Sequence, residues 1–84
     1  MMTPKRKTVK ALLWLVAKCC KEGEFRTEEY YEYTTRELHM SRTSAHDLVD
    51  ILVEEGLASK EKAQGHTVEC ARLCERIRWL MERV

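Results

Sequence analysis

The chain has 84 residues, of which 44% are hydrophobic and 35% are charged, and its formal net charge is +1. This length provides one small core, and the composition is typical of a globular protein. No apolar run is long enough to cross a bilayer, so we expect no membrane association. The longest such run, Ala11 to Ala17, is followed directly by Lys18, which does not fit a signal peptide. We therefore expect an intracellular protein of the cytoplasm or nucleoid.

The first predicted helix runs from about Pro4 to Glu22. Thr3 suits the N-cap, proline suits the first helical position, and Gly23 suits the end of the helix. Helical spacing predicts that the inward face consists of Val9, Leu12, Leu13, Val16 and one of Cys19 or Cys20. Trp14 and Leu15 lie off this stripe. An apolar surface this wide predicts a second contact, with the last helix or with another subunit.

The second helix is predicted to begin after Thr27, because Glu28 and Glu29 then lie in the first turn, where the helix dipole favours negative charge. The alternative is a start at Thr34, with Glu37 completing a capping box. We prefer the longer helix, since it gives the tyrosines of residues 30–33 a packed position. The predicted inward stripe is Tyr31, Thr34 or Thr35, and Leu38.

The third helix has the clearest pattern in the chain. It is predicted to begin at Ser41 and to end at Gly56. Its apolar residues follow the spacing of a half-buried helix and are Ala45, Leu48, Val49, Leu52 and Val53. The small side chain at position 45 allows the second helix to approach closely, as a tight turn between two helices requires.

Residues 57–72 show a weaker pattern, in which apolar positions flank a polar centre that contains Gly65. We interpret it as a β-hairpin; a loop, or a last helix that begins as early as Thr67, is the alternative. The last helix is predicted over about residues 74–83, with Ile77, Leu80, Met81 and Val84 on one face. No repeat or linker divides the chain, so residues 1–84 are expected to form a single domain.

This order of elements resembles the winged helix-turn-helix family, in particular its small MarR-like and ArsR-like transcription regulators. The residues that carry the resemblance are Leu38, Met40, Ser41, Ala45, Leu48 and Leu52 in the turn and core, Glu55 to Leu57 after the third helix, and Gly65 to Val68 with Arg72 and Leu73 in the wing. The family implies a mainly α fold with a small β-hairpin: a three-helix core, a recognition helix at about 42–55, a two-stranded wing at about 57–72 and a C-terminal helix at about 74–83. His39 stands where many members have glycine, so a left-handed backbone is expected there.

The resemblance implies that the third helix enters the major groove of double-stranded DNA. The predicted base-reading residues are Arg42, Thr43 and His46. The predicted phosphate contacts are Ser41, Ser44, Lys60, Lys62, His66, Lys5, Arg6 and Lys7. Ordinary solvated positions for Arg42 and His46, and a solvated terminus for the basic run, are the alternatives. Since Asp47, Asp50, Glu54 and Glu55 make the far half of the helix acidic, only its Ser41–His46 end suits DNA.

Four cysteines, Cys19, Cys20, Cys70 and Cys74, allow three interpretations. We favour buried free thiols over a disulfide within or between subunits; inside a cell, a disulfide would indicate a thermophilic source. A metal site is least favoured, because adjacent cysteines on a helix point about 100° apart and no Cys-x-x-Cys motif occurs. The histidines match no metal motif, and we expect neither a metal nor a cofactor.

These patterns predict a sequence-specific DNA-binding transcription regulator that acts as a homodimer. The predicted dimer interface is Trp14, Leu15, Ile77, Trp79, Leu80 and Val84. The alternative is a winged-helix module that binds another protein of the replication or transcription machinery through the acidic face of the second and third helices. No paired catalytic carboxylates, nucleophile elbow or phosphate loop is apparent, so the chain is not expected to be an enzyme.

Overall fold

The computed structural model describes residues 4–60 and 66–84, and the fold is mainly helical with a small antiparallel sheet, as predicted. The helices are α1 (Pro4–Glu22), α2 (Thr27–Glu32), α3 (Arg42–Glu54) and α4 (Ala71–Arg83), and α2 continues directly into a π-helical segment, Tyr33–Glu37. The strands are β1 (Glu24–Arg26), β2 (Ser59–Lys60) and β3 (Thr67–Glu69). Within these ranges, every helix is too short or too polar to cross a membrane.

Helix α1 has the predicted bounds but a different inward face. It ends where Gly23 adopts a φ of 76° and donates its N–H to the Cys19 carbonyl. Its fully buried residues are Ala11, Leu15 and Cys19. The predicted face is confirmed for Cys19, Leu12 and Val16, of which the first is buried and the other two pack partly buried against the core. It was wrong for Val9 and Leu13, which are 49% and 62% exposed. The helix has two apolar stripes, and the core packs most closely against the stripe that contains Leu15, which the predicted face did not include. The predicted N-cap, Thr3, lies outside the described residues.

A cluster of aromatic rings forms the centre of the core and joins α1, β1 and α2. Trp14 packs edge-on against Phe25, with ring centroids 6.0 Å apart, and stacks on Tyr33 at 5.7 Å. Phe25 and Tyr30 are 1% and 0% exposed, with ring centroids 5.6 Å apart. This cluster explains the orientation of α1, because Trp14 lies beside the Ala11–Leu15–Cys19 stripe.

The longer version of the second helix is confirmed, since α2 begins at Thr27 with two acidic residues in its first turn. Thr34 and Leu38 are buried as predicted, Tyr31 is partly buried against the core, and the fully buried tyrosine is Tyr30. The hydroxyl of Thr35 donates to the Tyr31 carbonyl at 2.6 Å. Such a side-chain bond competes with the regular helical ladder and accompanies the switch to π-helix at Tyr33.

Helix α3 begins and ends within two residues of the prediction. Ser41 is its N-cap, and the Ser41 hydroxyl accepts a hydrogen bond from the Ser44 N–H at 3.1 Å. His39, in the turn before it, has the expected left-handed backbone with a φ of 52°. The Nζ of Lys7 donates to the His39 carbonyl at 3.1 Å, so the start of α1 braces this turn.

The predicted hairpin is confirmed as an antiparallel pair of β2 and β3, and its connection falls outside the described residues. Strand β1 was not predicted. It pairs antiparallel with β3 and places Phe25 opposite Val68, so the strand order is β1-β3-β2. Helix α4 begins at Ala71, earlier than predicted, and takes the last residues assigned to the hairpin.

The four cysteines form two disulfides, Cys19–Cys70 and Cys20–Cys74, so the preference for free thiols was wrong. Adjacent helical positions point in different directions, which excludes a shared metal but permits two separate bonds. Cys19 and Cys70 are 2% and 1% exposed, whereas Cys20 lies at the surface. Both bonds join the end of α1 to the region where α4 begins.

The two disulfides are expected to stabilise the fold non-additively. When one disulfide is intact, loss of the other frees only the short loop between the two bridges in the unfolded chain, which should lower the free energy of unfolding by about 2 kcal/mol. Loss of both also frees the loop of about 50 residues between α1 and α4, which should lower it by roughly 4 kcal/mol more. Urea unfolding of C19A/C70A, C20A/C74A and the quadruple alanine variant measures these costs. Strictly additive costs would contradict the expectation.

Replacement of His39 by glycine is expected to stabilise the protein by about 0.5 kcal/mol, because relief of the left-handed backbone exceeds glycine's greater entropy in the unfolded chain. His39→Ala is the matched control and should give no gain, since alanine retains a Cβ. Denaturant midpoints of the two variants measure the difference. A less stable His39→Gly variant would show that the imidazole itself supports the turn.

Candidate nucleic-acid interface

The first turn of α3 presents a short polar surface. Ser41, Arg42, Thr43 and Ser44 are all exposed. The two serine hydroxyls bond to each other at 2.9 Å, and Ser41 also caps the helix. The hydroxyls predicted to hold a phosphate therefore already serve the cap, while the first backbone N–H groups of α3 remain directed out of the helix end.

Arg42 leans back against α2 instead of extending from the helix. Its guanidinium lies over the ring of Tyr31, with Cζ 4.7 Å from the ring centroid. Burial raises the pKa of the Tyr31 hydroxyl, an effect that the nearby cations of Arg42 and Lys60 oppose. The neutral, half-buried ring of Tyr31 is therefore the surface on which the Arg42 guanidinium packs.

Asp50 connects α3 to the sheet through both of its carboxylate oxygens. Nδ1 of His46, one helical turn earlier, lies 2.9 Å from Oδ2, and Oδ1 accepts from Nζ of Lys60 on β2 at 3.2 Å. The Asp50 charge, which would repel DNA if it were bare, is thus paired with a cation of the sheet. His46 keeps Nε2 for an external partner, because its other nitrogen is occupied.

His46, Asp47 and Asp50 also offer ligand atoms within 4.8 Å of one another, as a metal site would require. Lys60 already pairs with Asp50 at this point, and its ammonium repels a metal cation. This geometry fits an ion-pair network better than a metal centre.

The N-terminal basic run divides between two surfaces. Lys7 points to the turn before α3 through its bond to His39. Lys5 and Arg6 instead border a shallow depression with Val9, Lys10 and Leu13 on the outer face of α1. The bond to His39 therefore places Lys7 beside the turn that precedes α3.

Of the predicted wing residues, Lys60 and His66 lie within the described range and Lys62 lies outside it. Lys60 is bound to Asp50, so its charge is largely compensated. The His66 side chain is exposed, while its carbonyl accepts from the N–H of Thr27 at 2.8 Å and fixes this end of β3 to the start of α2.

The structure removes two residues from the predicted dimer interface. Leu15 is 0% exposed and Trp14 is half-buried in the aromatic cluster, because both belong to the inward stripe of α1. Ile77 packs against the core, while Trp79, Leu80 and Val84 remain exposed. Leu13 and Met81, which the prediction omitted, are 62% and 73% exposed.

Sequence reasoning missed Tyr31 and Asp50 as site residues. The i, i+4 spacing of His46 and Asp50 on one helix was a usable signal for that pair. Nothing local indicated that Tyr31 meets Arg42, because this contact depends on the packing of α2 against α3.

Comparisons with protein-family models, with curated proteins and with solved structures return no match for this chain. The interface therefore rests on its own geometry: an arginine stacked on a tyrosine, a histidine and a lysine joined by Asp50, and a braced turn before α3.

Proposed function

We propose that the protein is a winged helix-turn-helix transcription regulator that binds double-stranded DNA through the first half of α3. The observation that carries the proposal is the exposed end of a capped helix behind a braced turn, next to an antiparallel pair of strands. The order helix, strand, helix, helix, strand, strand, helix supports the winged-helix assignment. In this assignment, β2 and β3 would form the wing.

The distribution of charge supports entry by the N-terminal end of α3. Arg42 and Lys7 lie at this end, whereas Asp47, Glu54 and Glu55 are exposed farther along the helix or just after it. A helix that lay flat in the groove would bring these carboxylates close to phosphates, at an electrostatic cost. An angled entry keeps them away, with Thr43 and the free Nε2 of His46 as the groups that face bases.

We also propose that the regulator acts as a homodimer, with a revised interface. Leu80, Met81 and Val84 continue the stripe on which Leu73, Cys74 and Ile77 reach the core, so one face of α4 extends beyond its own domain. Val9 and Leu13 form the outer stripe of α1. A two-fold pairing of these faces would bury them and present two copies of α3 to a pseudo-palindromic site.

DNA binding is tested by selecting bound duplexes from a random pool at moderate salt, followed by titration of variants on the selected and scrambled sites. His46→Ala is expected to lose about 1 to 3 kcal/mol of discrimination between the sites. Lys60→Ala should weaken both sites alike, because it leaves the Asp50 charge uncompensated near the phosphates.

The matched control is Lys21→Ala, an exposed lysine at the far end of α1, which should leave both affinities unchanged. Absence of an enriched sequence, or binding without salt dependence, would contradict the proposed function.

The dimer is tested by light scattering coupled to size-exclusion chromatography. Leu80→Glu should convert the dimer to a monomer, because it places a charge in the buried face. Ile51→Glu is the control, since Ile51 on α3 is 53% exposed, close to the 48% of Leu80, but lies outside the proposed interface. A monomeric wild-type protein would remove the homodimer from the proposal.

A second candidate function is a protein-binding module, which one observation favours. Ile51 is an exposed large apolar residue near Asp47, Glu54 and Glu55, on the half of α3 that does not suit DNA. A partner with basic and apolar groups would complement this surface. Failure to bind DNA at low salt, together with loss of a partner on Ile51→Glu, would favour this candidate.

A further inference from the structure

A cleft of about 270 Å³ lies between α2, α3 and the strands β2 and β3. Its lining includes the apolar side chains of Val49 and Val68, both 1% exposed. Its other lining residues are Thr27, Tyr31, Arg42, His46, Lys60, His66 and Thr67. Cationic and hydroxyl groups therefore converge around a preformed concave surface.

Among the described residues, Arg42 is the cation of this cleft that has no carboxylate partner. In the described part of the chain its recorded contact is the stacking on Tyr31, which uses the face of the guanidinium and leaves its N–H edge without an acceptor. Stacking also fixes the plane of the group, so less side-chain entropy is lost when an anion binds. A planar, pre-oriented guanidinium of this kind matches two oxygens of a phosphate group.

The remaining charges do not oppose an anion. None of the described lining residues is acidic, and Asp50, which lies behind two of them, has its oxygens 2.9 Å from His46 and 3.2 Å from Lys60. The pair of Lys60 and Asp50 is neutral, so Arg42 leaves the cleft with a net positive charge. His66 and the hydroxyls of the cleft add further hydrogen-bonding groups.

We propose that this cleft is a phosphate-binding site, with Arg42 as its principal ligand and Tyr31 as the residue that positions Arg42. If the phosphate belongs to the DNA backbone, this inference rests on the proposed function. It assigns Arg42 to phosphate binding, where the sequence predicted base reading. The second source is a free phosphate or a small phosphate ester, which the same groups would hold.

The first test uses inorganic phosphate alone and does not depend on DNA. In an NMR titration, phosphate should shift the Arg42 Nε–Hε and Tyr31 ring signals of the wild-type protein, and Arg42→Ala should abolish the change at Tyr31. Tyr31→Phe keeps the ring and should retain binding, whereas Arg42→Lys keeps the charge but loses the planar fork and should weaken it. The control is Arg78→Ala on the exposed surface of α4.

The second test uses the selected DNA duplex. If the backbone supplies the phosphate, Arg42→Ala should lower affinity for selected and scrambled sites alike and reduce the slope of log K against log salt by about 1. An unchanged slope with a clear phosphate titration would assign the cleft to a free phosphate or phosphate ester. Two-dimensional NMR spectra confirm that each variant is folded.

The outcomes separate the two proposals. If the wild-type protein binds no DNA, the proposed function fails, but the phosphate titration still shows whether the cleft binds phosphate. If phosphate causes no shift and Arg42→Ala changes base preference without changing the salt slope, the phosphate site is overturned and Arg42 is a base-reading residue. Absence of both a phosphate shift and any effect of Arg42→Ala on DNA binding would equally overturn it.

Discussion

The arrangement of the helices depends on one buried hydrogen bond, from the hydroxyl of Tyr30 to the carbonyl of Ala45 at 2.7 Å. Burial raises the pKa of Tyr30 far above its usual value, so the phenol stays a neutral donor. The bond joins α2 to α3 where Ala45, with its small side chain, lets the helices approach. Because Tyr31 follows Tyr30 on the same helix, the constraint that fixes the core also brings the Tyr31 ring under Arg42.

Helix boundaries were predictable because their signals are local. Pro4, Gly23, Ser41 and Gly56 act through backbone geometry and capping within a few residues, and all four helix ends lie within two residues of their predicted positions. The inward face of α1 was not predictable in this way. Its two stripes are comparably apolar, and the choice between them depends on rings contributed by β1 and α2.

The same distinction applies to β1 and to the disulfides. Strand β1 has three residues, and only Phe25 among them is apolar, so alternation carries no signal; its partner in β3 is more than 40 residues away. Cysteine pairing likewise depends on where α4 meets α1. Adjacent cysteines on one helix point in different directions, and each of them pairs with a cysteine at or near the start of α4, Cys19 with Cys70 and Cys20 with Cys74.

The site differs from the sequence-based picture mainly in which charges are free. A count of side chains makes α3 acidic and the N-terminus basic, but Asp50 is paired with Lys60, and Lys7 is bound to the turn at His39. The charge available at the first half of α3 is therefore small and localised at Arg42. A surface with so few uncompensated cations cannot rely on counterion release for most of its affinity. Recognition through this surface would have to depend on the fit of a few fixed groups, which is what stacking of Arg42 and pairing of His46 with Asp50 provide.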